Sequence, residues 1–239
     1  MNAVILAAGV GRRFEGALKG LPKCLVTVAG KTLLARHLDH LENVGAGKVI
    51  VVVGYNGHLI REEIRSCGSR LAIEVVENPD FRRGSILSLH CARSHLGEGA
   101  VIMDADVLYH ADVLRRLWAA EGSCFCLDPR SDFTNEEMML RVKDGLVRSI
   151  TRGKSGEADL YGEGVGFFRL AASESGPFVE ELEAWVKRDE LDADYEQVIN
   201  SFLAAHPARY VLVDDLPWIE IDFPADLEKA EKEIIPLLS

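Results

Sequence analysis

The chain alternates between apolar runs of strand length and stretches whose apolar residues recur at helical spacing. Residues 3–7 form a short apolar run ending at glycine, and "KVIVVVGY" over 48–55 is β-branched without polar alternation, as expected of a parallel strand covered on both faces. Residues 71–78 and 99–106 read as two further strands, and 32–44, 58–67, 85–96 and 111–119 as helices. Strand and helix thus take turns through the first half, which predicts a doubly wound sheet whose ligands sit outside the carboxyl ends of its strands. The second half changes texture. Residues 124–129, 138–152 and 162–170 read as strands joined by turns, with Asp144-Gly145 a hairpin signal. Helices over 177–187 and 194–205, a strand over 209–215 and a closing helix over 224–235 follow, the last capped by Asp222 or Asp226. The pattern predicts an α/β protein of one domain: a doubly wound core over 1–126, a β-rich lobe over 127–168, and a return to the core over 169–239. No internal repeat is visible.

Charge and cysteine usage narrow the field. A formal charge of −11 opposes a nucleic-acid binder, so any phosphate site must be a local cationic pocket. Five cysteines, odd in number and set in apolar runs without a Cys-x-x-Cys, suit neither a disulfide framework nor a zinc site. The seven histidines show no metal-ligand pairing, and no Gly-x-Ser-x-Gly elbow supports a serine hydrolase. Met1-Asn2 leads directly into the first strand and no apolar run reaches membrane length, so a soluble cytoplasmic protein is expected.

The loop after the first strand, "LAAGVGRRFEGALKGLPKCLV", carries the chemistry. Gly9 and Gly11 allow the backbone to approach an anion, and Arg13 and Lys23 return two cations to the same mouth of the sheet. Two cations with free N–H groups suit a polyphosphate; the plainer alternative is that Arg12, Arg13, Lys19 and Lys23 form a solvated loop. The segment is not a Walker loop, since no Gly-Lys-Ser/Thr follows, and it lacks the third glycine of the dinucleotide fingerprint. Asp104 and Asp106 end the apolar strand "VIMDAD", where a sheet presents groups to its ligand.

Taken together, "LAAGVGRRF…LPKCLV", "VVVGY", "NPDFRRGSILSLHCARSHL", "VIMDADVLYH", "TNEEMMLRV", "GVGFF" and "IEIDFPADLEKAE" resemble the successive landmarks of the nucleotidyltransferase family, in particular its CTP:phosphocholine cytidylyltransferase-like branch with inositol-phosphate and aminoethylphosphonate relatives. The resemblance covers nearly the whole chain. It implies a Rossmann-like three-layer α/β/α core with an acceptor-binding lobe, and a transfer from CTP to a small phosphorylated or phosphonate amino-alcohol. The runner-up is a sugar-1-phosphate or inositol-1-phosphate nucleotidyltransferase, and a rival of another class is a regulatory module that binds nucleotide without chemistry. The implied partners are CTP and the acceptor, with neither nucleic acid nor membrane and a homodimer left open.

By the same resemblance Arg13, Lys23 and Asp106 are the expected catalytic residues, and Asp106 and Asp222 the expected ligands of Mg2+. Asp104 is expected to point to the other face or to orient the loop. Nucleotide contacts are expected from Leu6, Ala7, Ala8, Gly9, Gly11, Gly54, Ser85 and Ser88; the Ser88 hydroxyl either meets a ribose or pyrimidine edge or belongs to an ordinary small helix residue. For the acceptor, Lys154 is a candidate phosphate holder or an exposed loop lysine. Tyr195 matches a tyrosine of the phosphocholine enzymes, while Glu137 and Glu196 stand where those enzymes carry tryptophan. Phe133, Tyr161, Phe167 and Phe168 could rebuild part of an aromatic cage or pack the lobe. Carboxylates suit a primary ammonium or a polyol better than a trimethylammonium group, unless Glu137 and Glu196 point into solvent.

Overall fold

The computed structural model describes residues 1–11, 20–130 and 137–238. Among these, nine strands share one sheet. Its parallel part comes from the apolar runs: β1 (Asn2–Ala7) pairs with the later strand β4 (Val49–Val53) on one edge and β6 (Ala100–Asp104) on the other, and β5 (Ile73–Glu77) flanks β4. The short β2 (Thr27–Val28) and β3 (Lys31–Thr32) form a separate hairpin before α1 (Leu33–Asn43).

Side-chain alternation along β1 sends each face to its own core. Ala3, Ile5 and Ala7 join Leu34, Leu38 and Leu41 of α1, Ile60 of α2 (Gly57–Ser66), and Val113, Leu114 and Leu117 of α4 (Ala111–Ala119). Val4 and Ala8 join Ile86 and Leu89 of α3 (Ile86–Cys91), Phe178 and Leu182 of α5 (Ser175–Lys187), and Val198, Ile199 and Phe202 of α6 (Tyr195–Leu203). Each fully buried Val, Leu, Ile or Phe among these contributes roughly 1.5–3 kcal/mol. Helices on both faces make the three-layer α/β/α fold that the pattern predicts.

The β-rich lobe expected over 127–168 is continuous with the core sheet. Within β11 (Leu160–Leu170), Phe167 to Leu170 run antiparallel to β6, whereas Leu160 to Glu163 pair with β9 (Met138–Lys143), itself in a hairpin with β10 (Leu146–Arg152). β8 (Cys124–Asp128) runs along β11 and is followed outward by β12 (Arg209–Leu212), shorter than the 209–215 predicted. The helix predicted over 85–96 stops at Cys91, with a 3-10 turn at Arg93–His95 beyond it, and the closing helix is α7 (Pro224–Lys229) continued by a π-helical turn at Ala230–Ile234. All five cysteines are free. Among the described residues no helix is long and apolar enough to cross a membrane.

Candidate active site

A two-stranded ribbon positions the acidic groups. β7 (Val107–Tyr109) pairs antiparallel with β13 (Trp218–Glu220), Val107 opposite Glu220, and the Ile221 amide donates to the Asp106 carbonyl at 2.9 Å. Asp106, Glu220 and Asp222 therefore meet at the carboxyl end of β6, each offering an oxygen within 4.8 Å of the others. Ile221, between the two acids of β13 and its extension, is buried in a third core with Val26, Leu108, Ala230 and Ile234, which anchors the ribbon. The capping alternative resolves cleanly: Asp226 Oδ2 accepts from the Asp222 and Phe223 amides at 2.9 and 2.6 Å, so Asp226 caps α7. The Asp222 carboxylate instead faces Lys23.

Lys23 reaches the acids from the opposite side, on a 3-10 turn set by Pro22. Its Nζ donates to Asp106 Oδ2 at 3.0 Å and to Asp222 Oδ1. Burial by itself would lower the Lys23 pKa, but the two carboxylates outweigh it and hold the ammonium above its ordinary value. Glu220 is pushed above the usual carboxylate range, by desolvation in the cleft and by like charge from Asp106 and Asp222. Carboxylate oxygens are the hard donors that Mg2+ takes, usually one or two of them with water in its other positions, and this cluster offers enough to fit that ion. Asp106 and Asp222 are the two expected from sequence; Glu220 was missed, although "EID" places it two residues from Asp222.

A cleft of about 630 Å³ is lined by Leu6, Ala8, Gly9, Ser85 and Ser88, five of the residues expected to contact nucleotide, and reaches Asp106. Ala7 and Gly11 line a smaller recess of about 130 Å³ with Lys23 and Asp106. Ser85 Oγ accepts the Tyr195 amide at 2.9 Å, and Ser88 Oγ is buried and accepts from Asn78 Nδ2 at 3.0 Å. Gly54 lines neither cavity. A Cβ there would lie 2.4 Å from Phe81 Cβ and 2.9 Å from the Ala8 carbonyl, so this glycine admits the close approach of Phe81 and Ala8 to the end of β4. Arg82 and Arg83 also line the cleft and were not singled out from the sequence; Arg83 is bidentate to Asp192 at 3.0 and 2.9 Å. Arg13 and Phe133 lie outside the described residues.

Adjoining the cleft, and sharing Asp104, Tyr195, Glu196 and Glu220 with it, is a cavity of about 120 Å³ that also has Glu137 and Asp222 in its wall. Lys154 is not part of it: its ammonium lies 5.6 Å from the Tyr161 ring centroid, on the turn beyond β10, and the cation that lines both this cavity and the cleft is Arg152. Glu137 and Glu196 thus do not simply face solvent. Asp104 corrects one expectation. Residues two apart on a strand share a face, and Asp104 lines both cavities that Asp106 and Glu137 mark; what separates it from Asp106 is the end of β6 between them. It accepts the Tyr195 hydroxyl at 2.9 Å, and burial, with like charge from Glu196 and Asp106, raises its pKa well above the usual range. Gly166 makes room for it: at φ +76 a Cβ would come within 2.6 Å of Asp104 Oδ2.

The three-layer α/β/α fold is that of the Rossmann-like nucleotidyltransferases. The chain belongs to the family of MobA-like NTP transferase domains, whose profile matches residues 3–162. It is 30% identical over 99% of its length to the CMP-5'-(3-aminopropyl)phosphonate synthase of Streptomyces rubellomurinus, of which it spans 39%. It spans 50 to 52% of two further curated relatives. In fold it matches the CTP:phosphocholine cytidylyltransferase LicC of Streptococcus pneumoniae (TM-score 0.77, 22% identity, 97% of each chain). It also matches the inositol-1-phosphate CTP transferase of T. maritima (TM-score 0.79, 18% identity, 98% of this chain and 97% of that one).

Proposed function

We propose that the protein is a Mg2+-dependent cytidylyltransferase that joins CTP to a small phosphorylated or phosphonate amino-alcohol, with release of pyrophosphate. The observation that carries this reading is the Lys23 ammonium held between Asp106, which lines the cleft, and Asp222, which lines the second cavity. An acceptor phosphate or phosphonate oxygen attacks the α-phosphorus of CTP. The new O–P bond forms as the α–β anhydride bond breaks, and its electron pair leaves with pyrophosphate. The dianionic nucleophile needs no base, so the protein's work is placement and charge compensation. Lys23 and Arg13 set positive charge against the phosphates, and backbone groups of Leu6, Ala7, Ala8, Gly9 and Gly11 approach the nucleotide. Ser85 and Ser88 flank its cleft. Asp106 and Asp222, joined by Glu220, would hold Mg2+, which when bound neutralises charge on the phosphates and the leaving group.

2-Aminoethylphosphonate, phosphoethanolamine and phosphocholine are the acceptors this reading favours, and the aminoalkylphosphonate named for the Streptomyces relative supports the phosphonate end of that range. An inositol-1-phosphate acceptor is the second reading, supported by the fold match to the T. maritima enzyme. Pyrophosphate release is measured with each of four nucleoside triphosphates against amino-alcohol phosphates, phosphonates, inositol phosphate and sugar phosphates. The proposal expects turnover with CTP and an amino-bearing acceptor; CTP binding without pyrophosphate from any acceptor would leave a nucleotide-binding module instead.

A further inference from the structure

Resting on the transferase reading above, we propose that the second cavity is an ammonium pocket in which Glu196 determines specificity, so that an acceptor bearing a primary amine on a short methylene chain is preferred over its trimethylated or uncharged counterpart. Three features of the cavity support this assignment. The first is charge: Asp104, Glu137, Glu163, Glu196, Glu220 and Asp222 line it against a single guanidinium among the described lining residues, Arg152. Arg152 itself lies against Asp194, 3.5 Å from its Oδ2. A cation entering the cavity is therefore favoured over an anion.

The second is Glu196 itself. It stands on the first turn of α6, beside the buried Tyr195, and its Oε2 is shut off from solvent with no hydrogen-bond partner. A buried carboxylate oxygen without a donor is an arrangement that an incoming N–H relieves. Burial, with like charge from Asp194 and Asp106 and against the pull of Arg152, raises its pKa to about 7, so its negative charge is only partly expressed until a cation joins it. A primary ammonium brings three N–H donors, whereas a trimethylammonium brings none and is normally met by aromatic faces.

The third is the disposition of the aromatic rings, which are committed to one another. Phe125 and Phe168 stack at 4.5 Å, Phe167 packs edge-on against Tyr109 at 4.8 Å, and the Tyr195 hydroxyl is spent on Asp104. Tyr161 donates to the Gly156 carbonyl outside the cavity. The apolar wall of Phe125, Ile150 and Ile199 instead suits a few methylenes, and is a poor lining for a divalent cation that keeps its water.

The test uses three acceptors that differ only at the distal group: 2-aminoethylphosphonate, its N,N,N-trimethyl derivative and 2-hydroxyethylphosphonate. Calorimetric binding and pyrophosphate release from CTP are measured for each with the wild type, Glu196→Gln and Glu163→Gln, with thermal unfolding to verify folding. The expected wild-type preference for the amine is about tenfold or more over both analogues, and Glu196→Gln brings that ratio most of the way to unity. Glu163→Gln, at a second acidic residue of the same lining, weakens it less and serves if Glu196→Gln does not fold. Amine-selective binding that depends on Glu196 upholds the pocket even if no pyrophosphate appears, in which case only the transferase reading fails. Equal or tighter binding of the trimethylated or hydroxyl analogue, no binding of any of the three, or an amine preference untouched by both substitutions overturns the pocket, whether or not CTP is turned over.

Discussion

Replacing Lys23 by methionine keeps the apolar stem that passes Gly11 and removes the charge between Asp106 and Asp222. With the carboxylate oxygens within 4.8 Å of one another, two like charges repel by roughly 3 kcal/mol at an effective dielectric of about 20. The side chains of Asp106 and Asp222 are about a fifth exposed, 20% and 19%, so solvent and a small relaxation reduce the effect on folding to about 1–2 kcal/mol. That corresponds to a fall in Tm of roughly 2–8 °C in chelator. Saturating Mg2+ should recover more of this loss in Lys23→Met than it adds to the wild type, because the ion takes over the compensation. Turnover should behave differently. The same charge acts on the pentacoordinate phosphate, so kcat falls on the order of a hundredfold even in Mg2+, with a smaller change in KM for CTP. The assays are denaturant unfolding with and without chelator, and steady-state pyrophosphate release. A variant of wild-type stability in chelator, or one that raises KM alone, would refute the reasoning: in the first case the cluster needs no lysine, in the second Lys23 only anchors the ground state.

Asp106→Asn and Asp222→Asn should each lower turnover by about a hundredfold or more at saturating Mg2+ while far-UV dichroism is retained, since each removes a formal charge from the acidic cluster. Gly166→Ala should destabilise by roughly 1–3 kcal/mol in denaturant titration, because a side chain at φ +76 would also press on Asp104; a neutral result would mean that β11 yields there. His37 is buried with Nδ1 3.2 Å from the Tyr109 hydroxyl, and burial, then His40, hold its pKa down to about 3 against an unfolded value of 6.5. Its folded pKa is depressed, so the unfolded chain binds the extra proton between those values. Stability is whole above about pH 6.5 and is lost as pH falls toward 3, by up to about 1.4 kcal/mol per unit. His37→Gln should flatten the unfolding free energy against pH over that window, and an unchanged slope would place the titration elsewhere.

The parallel core was legible because strand and helix take turns through the first half and because the β-branched run at its centre lacks alternation, as a strand covered on both faces must, and Val49 to Val53 are so covered. Continuity between core and lobe was not. β11 runs through both, pairing with β6 at one end and β9 at the other, and nothing in "LYGEGVGFFRL" marks the change of partner except its glycines. In the site, Lys23, Asp106 and Asp222 are brought together from positions far apart in the chain, and their proximity was expected only from resemblance. The capping of α7 shows the same limit: Asp222 and Asp226 are equally good caps in sequence, and only the ribbon of β7 and β13 decides which carboxylate turns to Lys23. Arg152 displaces Lys154 for a reason the local pattern does not carry, since the first ends a strand beside α6 and the second lies on the turn beyond it.

The most direct test of the account is mass-spectrometric and phosphate analysis of the wild type incubated with CTP, Mg2+ and 2-aminoethylphosphonate, beside Asp106→Asn. The account predicts pyrophosphate and a CMP–phosphonate adduct in equal amounts, dependent on the divalent ion and lost in the variant. CTP that binds yet remains intact with every phosphate and phosphonate acceptor, or product that forms as fast in Asp106→Asn, would contradict it.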